Sequence, residues 1–145
     1  TVDKALSDAT GTAWLFSPDS EPKNAAVVRH PNMPGGRTFE IPTVALDDVA
    51  LEGPRVDLVK IDAEGAEVSI IQGMRRLIER DKPMIVLEFN PSRYAKPRQF
   101  LDGLLASYGS GQQLALDGAI VPLDKDAVLD KSDLEDRILL FAPHA

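Results

Sequence analysis

The chain reads as an α/β protein, and three features of its middle and end predict that class. Short apolar strands alternate with amphipathic helices after residue 55, in the order strand, helix, strand, helix, hairpin, strand. That order indicates a sheet covered by helices. Met84-Ile85-Val86-Leu87 is a continuous apolar run, as expected of a parallel strand buried on both faces. Ile70, Ile71, Met74, Leu77 and Ile78 recur at helical spacing, so one amphipathic helix is predicted after the Ala63-Glu64-Gly65-Ala66 turn.

The N-terminal third is β-rich. Val2 to Leu6 alternates weakly and predicts a first strand, and Ser7-Asp8-Ala9-Thr10-Gly11 has turn chemistry. Thr12 to Phe16 and Ala25 to Val28 are further β-rich runs, parted by a loop from Ser17 to Pro22. His30 to Arg37 predicts a longer loop with two prolines and Gly35-Gly36. Thr38 to Val44 predicts a strand in which Pro42 marks an edge or an end. Trp14, Phe16 and Phe39 lie on these strands and are expected in the core. Asp47-Asp48 lead a short turn before Pro54.

Val56 to Asp62 predicts a short strand that ends in charge. In the helix that follows, Glu64 and Glu67 lie near the N-terminus and Arg75, Arg76 and Arg80 near the C-terminus, both complementing the helix dipole. Pro83 bars its continuation. Pro97 suits the first position of the next helix. Phe100, Leu101, Leu104, Leu105 and Tyr108 form the buried stripe of that helix, and Gly109 can close it in the left-handed conformation. Asp117-Gly118, between two apolar runs, predicts a hairpin of the I′ type. An acidic loop from Asp124 to Asp136 leads to a last strand, Arg137 to Ala142.

With 145 residues, 43% hydrophobic and 27% charged, the chain has the composition of one globular domain. No apolar run approaches the ~18 residues of a membrane span. The formal net charge is −7, so an acidic surface would repel phosphate backbones, and neither nucleic acid nor membrane is an expected partner. Residues 51–110 hold 9 basic and 9 acidic side chains, whereas both flanks are acidic. There is no cysteine, which excludes a disulfide scaffold, a thiolate metal site and a cysteine nucleophile. Thr1-Val2-Asp3-Lys4 lacks the blocks of a signal peptide. A cytoplasmic location is expected.

The densest chemistry lies in Lys60-Ile61-Asp62-Ala63-Glu64-Gly65-Ala66-Glu67. Asp62 falls at the carboxyl end of an apolar strand, and Glu88, followed by Asn90, falls at the end of the next. Ligands of open parallel sheets bind outside such strand ends. A carboxylate so near a buried strand is costly without a purpose or partner. Asp62 is therefore the first candidate for catalysis, with Glu64 second. Lys60 either orients an acceptor oxygen or forms a salt bridge, and Glu67 is expected only to cap the helix. Glu88, Asn90 and His30 are candidates for contacting substrate, whereas the tail residue His144 is expected to be inert. Arg93, Lys96 and Arg98 form a small basic cluster, read first as a solvated start of the second helix and second as a contact for an anionic substrate. The acids would also suit magnesium, but a metal-free site is the primary expectation.

The segment VDLVKIDAEGAEVSIIQGMRRLIERDKPMIVLEF, Val56 to Phe89, resembles the core motif of the FkbM-type methyltransferase family. KALSDATG (Lys4 to Gly11), TVALDD (Thr43 to Asp48) and RILLFAPH (Arg137 to His144) are similar to that family in order and spacing. The resemblance implies a Rossmann-like class I methyltransferase fold, with S-adenosylmethionine as methyl donor and a hydroxyl of a small molecule or glycan as acceptor. It places Asp62 and Glu64 where a core strand opens onto donor and acceptor, and Asp8, with Ser7 beside it, near the adenine.

The family's glycine-rich first loop and its ribose-binding acid do not occur in residues 1–145. The chain is thus expected to be a partial domain, 1–145, lacking its first strands and ending in the β-hairpin. Roughly 80 residues, two strand-helix units, would precede it. Self-association or a missing N-terminal segment would cover the apolar surface left behind. The alternative from another class is a non-catalytic remnant or accessory domain that keeps the fold and binds a partner.

Overall fold

A computed structural model of the chain describes residues 1–21, 25–28, 30–132 and 135–143. His144 lies outside the described residues. The fold is mixed α/β, in two compact units, Thr1–Pro54 with Ala63–Arg76, and Arg55–Asp62 with Leu77–Ala145. No helix among the described residues is long and apolar enough to cross a membrane.

The first unit holds β1 (Ala5–Leu6), β2 (Gly11–Pro18), β3 (Ala26–Val28), β4 (Gly36–Val44), α1 (Leu46–Ala50) and α2 (Glu67–Gln72). Its sheet runs in the order β1-β4-β2-β3. The long antiparallel ladder pairs Gly11 with Thr43 at one end and Pro18 with Gly36 at the other. β1 adds only Ala5 and Leu6, in parallel with Thr43 and Val44. Pro42 thus lies two residues from the end of an inner strand, beyond the reach of β1, where its missing N–H costs no ladder bond on that side. The aromatic side chains are not core. Trp14 and Phe16 are half-buried and Phe39 is 47% exposed.

The single helix expected after Gly65 is broken. α2 ends at Gln72 and a new helix, α3 (Arg75–Asp81), begins after Gly73-Met74. The cause lies elsewhere in the unit. A Cβ on Gly73 would stand 1.9 Å from the Ser7 carbonyl oxygen, so only glycine admits that strand end. Asp47 then bridges the gap: its N–H donates to the Gly73 carbonyl (2.9 Å) and its carboxylate accepts from the Arg76 N–H (3.1 Å). It thereby satisfies groups that a helix end leaves unpaired.

The second unit holds β5 (Leu58–Ile61), β6 (Met84–Phe89), a 3₁₀ turn (Pro91–Arg93), α4 (Pro97–Tyr108), β7 (Gln112–Leu114), β8 (Ile120–Pro122), α5 (Lys125–Val128) and β9 (Arg137–Phe141), with most of α3. Its sheet order is β5-β6-β9-β7-β8. β5 and β6 are parallel, while β9 lies antiparallel to both β6 and β7. β6 and β7 therefore run the same way on either side of it. β6 alternates instead of being buried on both faces. Ile85, Leu87 and Phe89 are fully buried, whereas Met84 is exposed and Val86 and Glu88 are half-buried. α4 buries Leu101, Leu104 and Tyr108. Gly109 ends it at φ 78, its N–H bonded to the Leu105 carbonyl.

The hairpin forms with a different turn. The Gly118 N–H donates to the Ala115 carbonyl, and Gly118 is the one loop residue with positive φ, at 86. A I′ turn needs positive φ at both central residues, so this is a type I turn closed by a left-handed glycine.

Asp81, the last residue of α3, fastens the chain where it enters β5. Its carboxylate, 5% exposed, accepts from the Arg80 guanidinium (2.6 and 2.7 Å) and from the Val56 N–H (2.9 Å). These bonds, the Arg80 pair foremost, lower its pKa to about 2.

Gly73→Ala is expected to lower stability by about 1–3 kcal/mol, the usual cost of overpacking, and an unchanged urea midpoint would refute the close approach of Ser7. Because the folded-state pKa of Asp81 lies below its unfolded value, its contribution is complete above about pH 4 and lost as the pH falls towards 2. Thermal melts across that window should show a steeper acid loss for the native chain than for Asp81→Asn.

Candidate functional site

β5 delivers Asp62 and β6 delivers Glu88. The last pair of the parallel ladder is Ile61 with Leu87, so Asp62 and Glu88 occupy the next positions on neighbouring strands. Their carboxylate oxygens lie within 4.8 Å of each other. Each acid also faces a cation. Lys60 Nζ donates to Asp62 Oδ2 (2.8 Å), and Arg93 Nη1 donates to Glu88 Oε2 (2.9 Å).

The two carboxyls are pushed apart in acidity. The hydrogen bond from Lys60, set against some burial, holds Asp62 below the usual carboxylate range. Burial raises Glu88 above it, with Asp136 and Asp62 adding like charge and Arg93 opposing them. Asp62 is thus the ionised member and Glu88 the member that carries a proton more readily. Pairs separated in this way are suited to divided acid and base roles.

Ala63-Glu64-Gly65-Ala66 belongs to the first unit. Glu64 (φ 50) and Gly65 (φ 103) are both left-handed, and the non-glycine is unusual there. Glu67 does more than complement a dipole. It is fully buried, and its Oε1 accepts from the Ala63 N–H (3.0 Å), closing the turn over Glu64 and Gly65. Its Oε2 has no hydrogen-bond partner among the described residues.

Asn90 is buried, and its amide works inside the protein. Oδ1 accepts from the Ser92 N–H (3.0 Å) and hydroxyl (2.6 Å), and Nδ2 donates to Asp136 (3.0 Å). The basic cluster divides: Arg98 pairs with Asp126 at the surface, while Arg93 turns inward to Glu88 and Asp136. Arg93 and Asp136 are members that sequence reasoning missed. Only the packing of the 3₁₀ turn against the start of β9 distinguishes them from surface charges. Ser7 and Asp8 follow β1, where the Ser7 hydroxyl donates to the exposed Asp8 carboxylate (3.0 Å). His30 is exposed in the first unit.

Residues 3–110 match the methyltransferase FkbM domain, and the chain belongs to that family. The family is one of methyltransferases whose usual cofactor is S-adenosylmethionine. Among solved structures the chain is similar to methyltransferase FkbM from Methylobacillus flagellatus KT, at 18% identity and a TM-score of 0.49, over 94% of this chain and 26% of that one. The chain thus spans about a quarter of that protein's length. No curated protein matches it.

If the Glu67 bond holds the turn, Glu67→Ala should cost about 1–3 kcal/mol by stranding the Ala63 N–H. Glu67→Gln, which keeps an acceptor, should cost less. Denaturant titration of both variants checks this, and the reverse ranking would show that charge rather than the hydrogen bond matters.

Proposed function

We propose that this domain serves S-adenosylmethionine-dependent O-methylation, with a hydroxyl of a small molecule or glycan as acceptor. The observation that carries the reading is the ionised Asp62 carboxylate at the carboxyl end of β5, paired with Lys60 and adjoining Glu88. Family membership supplies the methyl-transfer chemistry.

Each unit by itself carries groups that suit this chemistry. Asp8 offers an exposed carboxylate, with the Ser7 hydroxyl beside it, for the amine and hydroxyl edges of a nucleoside. Asp62 and Glu88 offer negative charge to a cation. When bound, S-adenosylmethionine supplies a methyl group on a positively charged sulfur. The chain's own task is to hold the acceptor in line, which can supply much of the acceleration. It must also receive the hydroxyl proton. Asp62 would accept that proton: it is ionised and held by Lys60, although its lowered pKa also makes it a weaker base, so its role would rest on position. Lys60 orients Asp62, or the acceptor oxygen, through its ammonium. Glu88, the more readily protonated of the two, lies beside Asp62.

The test is Asp62→Asn in the protein that carries this domain, read as release of S-adenosylhomocysteine over a panel of hydroxyl acceptors. Turnover should fall ~10²–10⁴-fold, the worth of positioned proton transfer, at an unchanged melting temperature. Unchanged turnover with lowered stability would overturn the role of Asp62. Partner binding without donor turnover would favour an accessory domain.

A further inference from the structure

Arg93 sits between two acids and is itself held. Its guanidinium donates through Nη1 to Glu88 (2.9 Å) and through Nη2 to Asp136 (3.1 Å), and its side chain is 23% exposed. Asp136 is fixed in turn by Asn90 Nδ2, and Asn90 Oδ1 is fixed by Ser92. The residues come from three places: the end of β6, the 3₁₀ turn, and the residue before β9. Glu88 shares a face of β6 with half-buried Val86, opposite the fully buried Leu87 and Phe89. Left to itself, a glutamate there would swing away from the like charge of Asp62. A planar fork bridging two carboxylates prevents this, and a lysine cannot reproduce that geometry.

We propose that Arg93, clamped by Asp136, is a positioning residue that holds the Glu88 carboxyl against Asp62. The proposal rests on the reading of Asp62 as the carboxylate that receives the acceptor's proton, and it adds how that carboxylate obtains its partner. Arg93 and Asp136 touch neither acceptor nor donor in this role. They act through Glu88. Among the described residues of its own unit, the charged groups that face Glu88 are Arg93 from the 3₁₀ turn, Asp136 before β9 and Asp62 after β5.

Two kinds of influence on Glu88 can be separated, because they differ in sign. As a bare negative charge, Asp136 raises the pKa of Glu88, so Asp136→Asn should lower it. As the anchor of Arg93, Asp136 acts the other way. Its loss lets the guanidinium swing off Glu88 and raises the pKa. The same holds for Arg93→Met, which removes the opposing cation outright. Arg93→Lys restores the charge without the bridge and should fall between.

The experiment is a carbon-13 NMR titration of side-chain carboxyl groups in the full chain, with no substrate present, for wild type, Asp136→Asn, Arg93→Lys and Arg93→Met. Melting temperatures are measured on the same samples. The expected result is a Glu88 midpoint that moves to higher pH in Asp136→Asn and Arg93→Met, with Arg93→Lys between wild type and Arg93→Met. A midpoint that falls or stays in place in Asp136→Asn would overturn the clamp. If Arg93→Met fails to fold, Asp136→Asn decides the matter alone. Because the readout needs no turnover, the clamp can stand while the methylation reading fails, and the Asp62→Asn turnover assay can succeed while the clamp fails.

Discussion

The parallel pairing of β5 with β6 is the constraint on which the candidate site depends. With Ile61 opposite Leu87 as the last pair of that ladder, an acid follows on each side, Asp62 just past β5 and Glu88 still within β6, paired there with Ile138 of β9. A slip of one residue would send every side chain of one strand to the opposite face. Glu88 would then lie on the side of Leu87 and Phe89, which is fully buried. The register is held by that apolar set, since Ile85, Leu87 and Phe89 cannot face water without losing about 1.5–3 kcal/mol each. Burial on one face therefore places charge on the other.

Two carboxylates within 4.8 Å would repel by about 3 kcal/mol at an effective dielectric of about 20, were both charged and otherwise alone. The fold offsets this by giving each acid a cation from its own neighbourhood. Lys60, two residues before Asp62 on the same strand face, comes by strand alternation. Arg93 comes from the turn that follows β6. The inequality between these cations is chemically useful. The lysine pair is exposed and lies beside the more ionised acid, whereas the arginine pair is largely buried, beside the acid that burial makes weaker.

The first unit shows the same economy in backbone terms. Asp47 satisfies one group from each side of the break at Gly73, and Gly73 yields the space that the Ser7 carbonyl occupies. Ser7 is thus set by the Val44 carbonyl, which accepts its N–H (3.0 Å), and by the space left at Gly73, both far away in sequence. The buried Glu67 spends one oxygen on the Ala63 N–H to hold the left-handed Glu64-Gly65 turn. Residues that look like helix-capping acids in sequence are used to shape the path of the chain.

Amino-acid order alone determined the elements whose signals are local. These are the apolar run of β6, the stripe and glycine stop of α4, the hairpin at Asp117-Gly118, and the strand-end positions of Asp62 and Glu88. The KIDAEG segment also carried the family, which the match over residues 3–110 bears out. Tertiary structure decided what depends on distant partners. Periodicity from Ile70 to Ile78 runs on through Gly73, because nothing in that pattern shows that Ser7 needs the space of a side chain. The turn at Gly118 differs from the type that Asp-Gly suggests, since loop length and not the dipeptide selects it. Asn90 reads as a strand-end ligand, yet its amide is used by Ser92 and Asp136. Arg93 reads as a surface charge, yet it is drawn inward by two acids that lie 5 and 43 residues away. Hydrogen-bond partners for a polar side chain are chosen by proximity in space, and only the folded chain brings those atoms together.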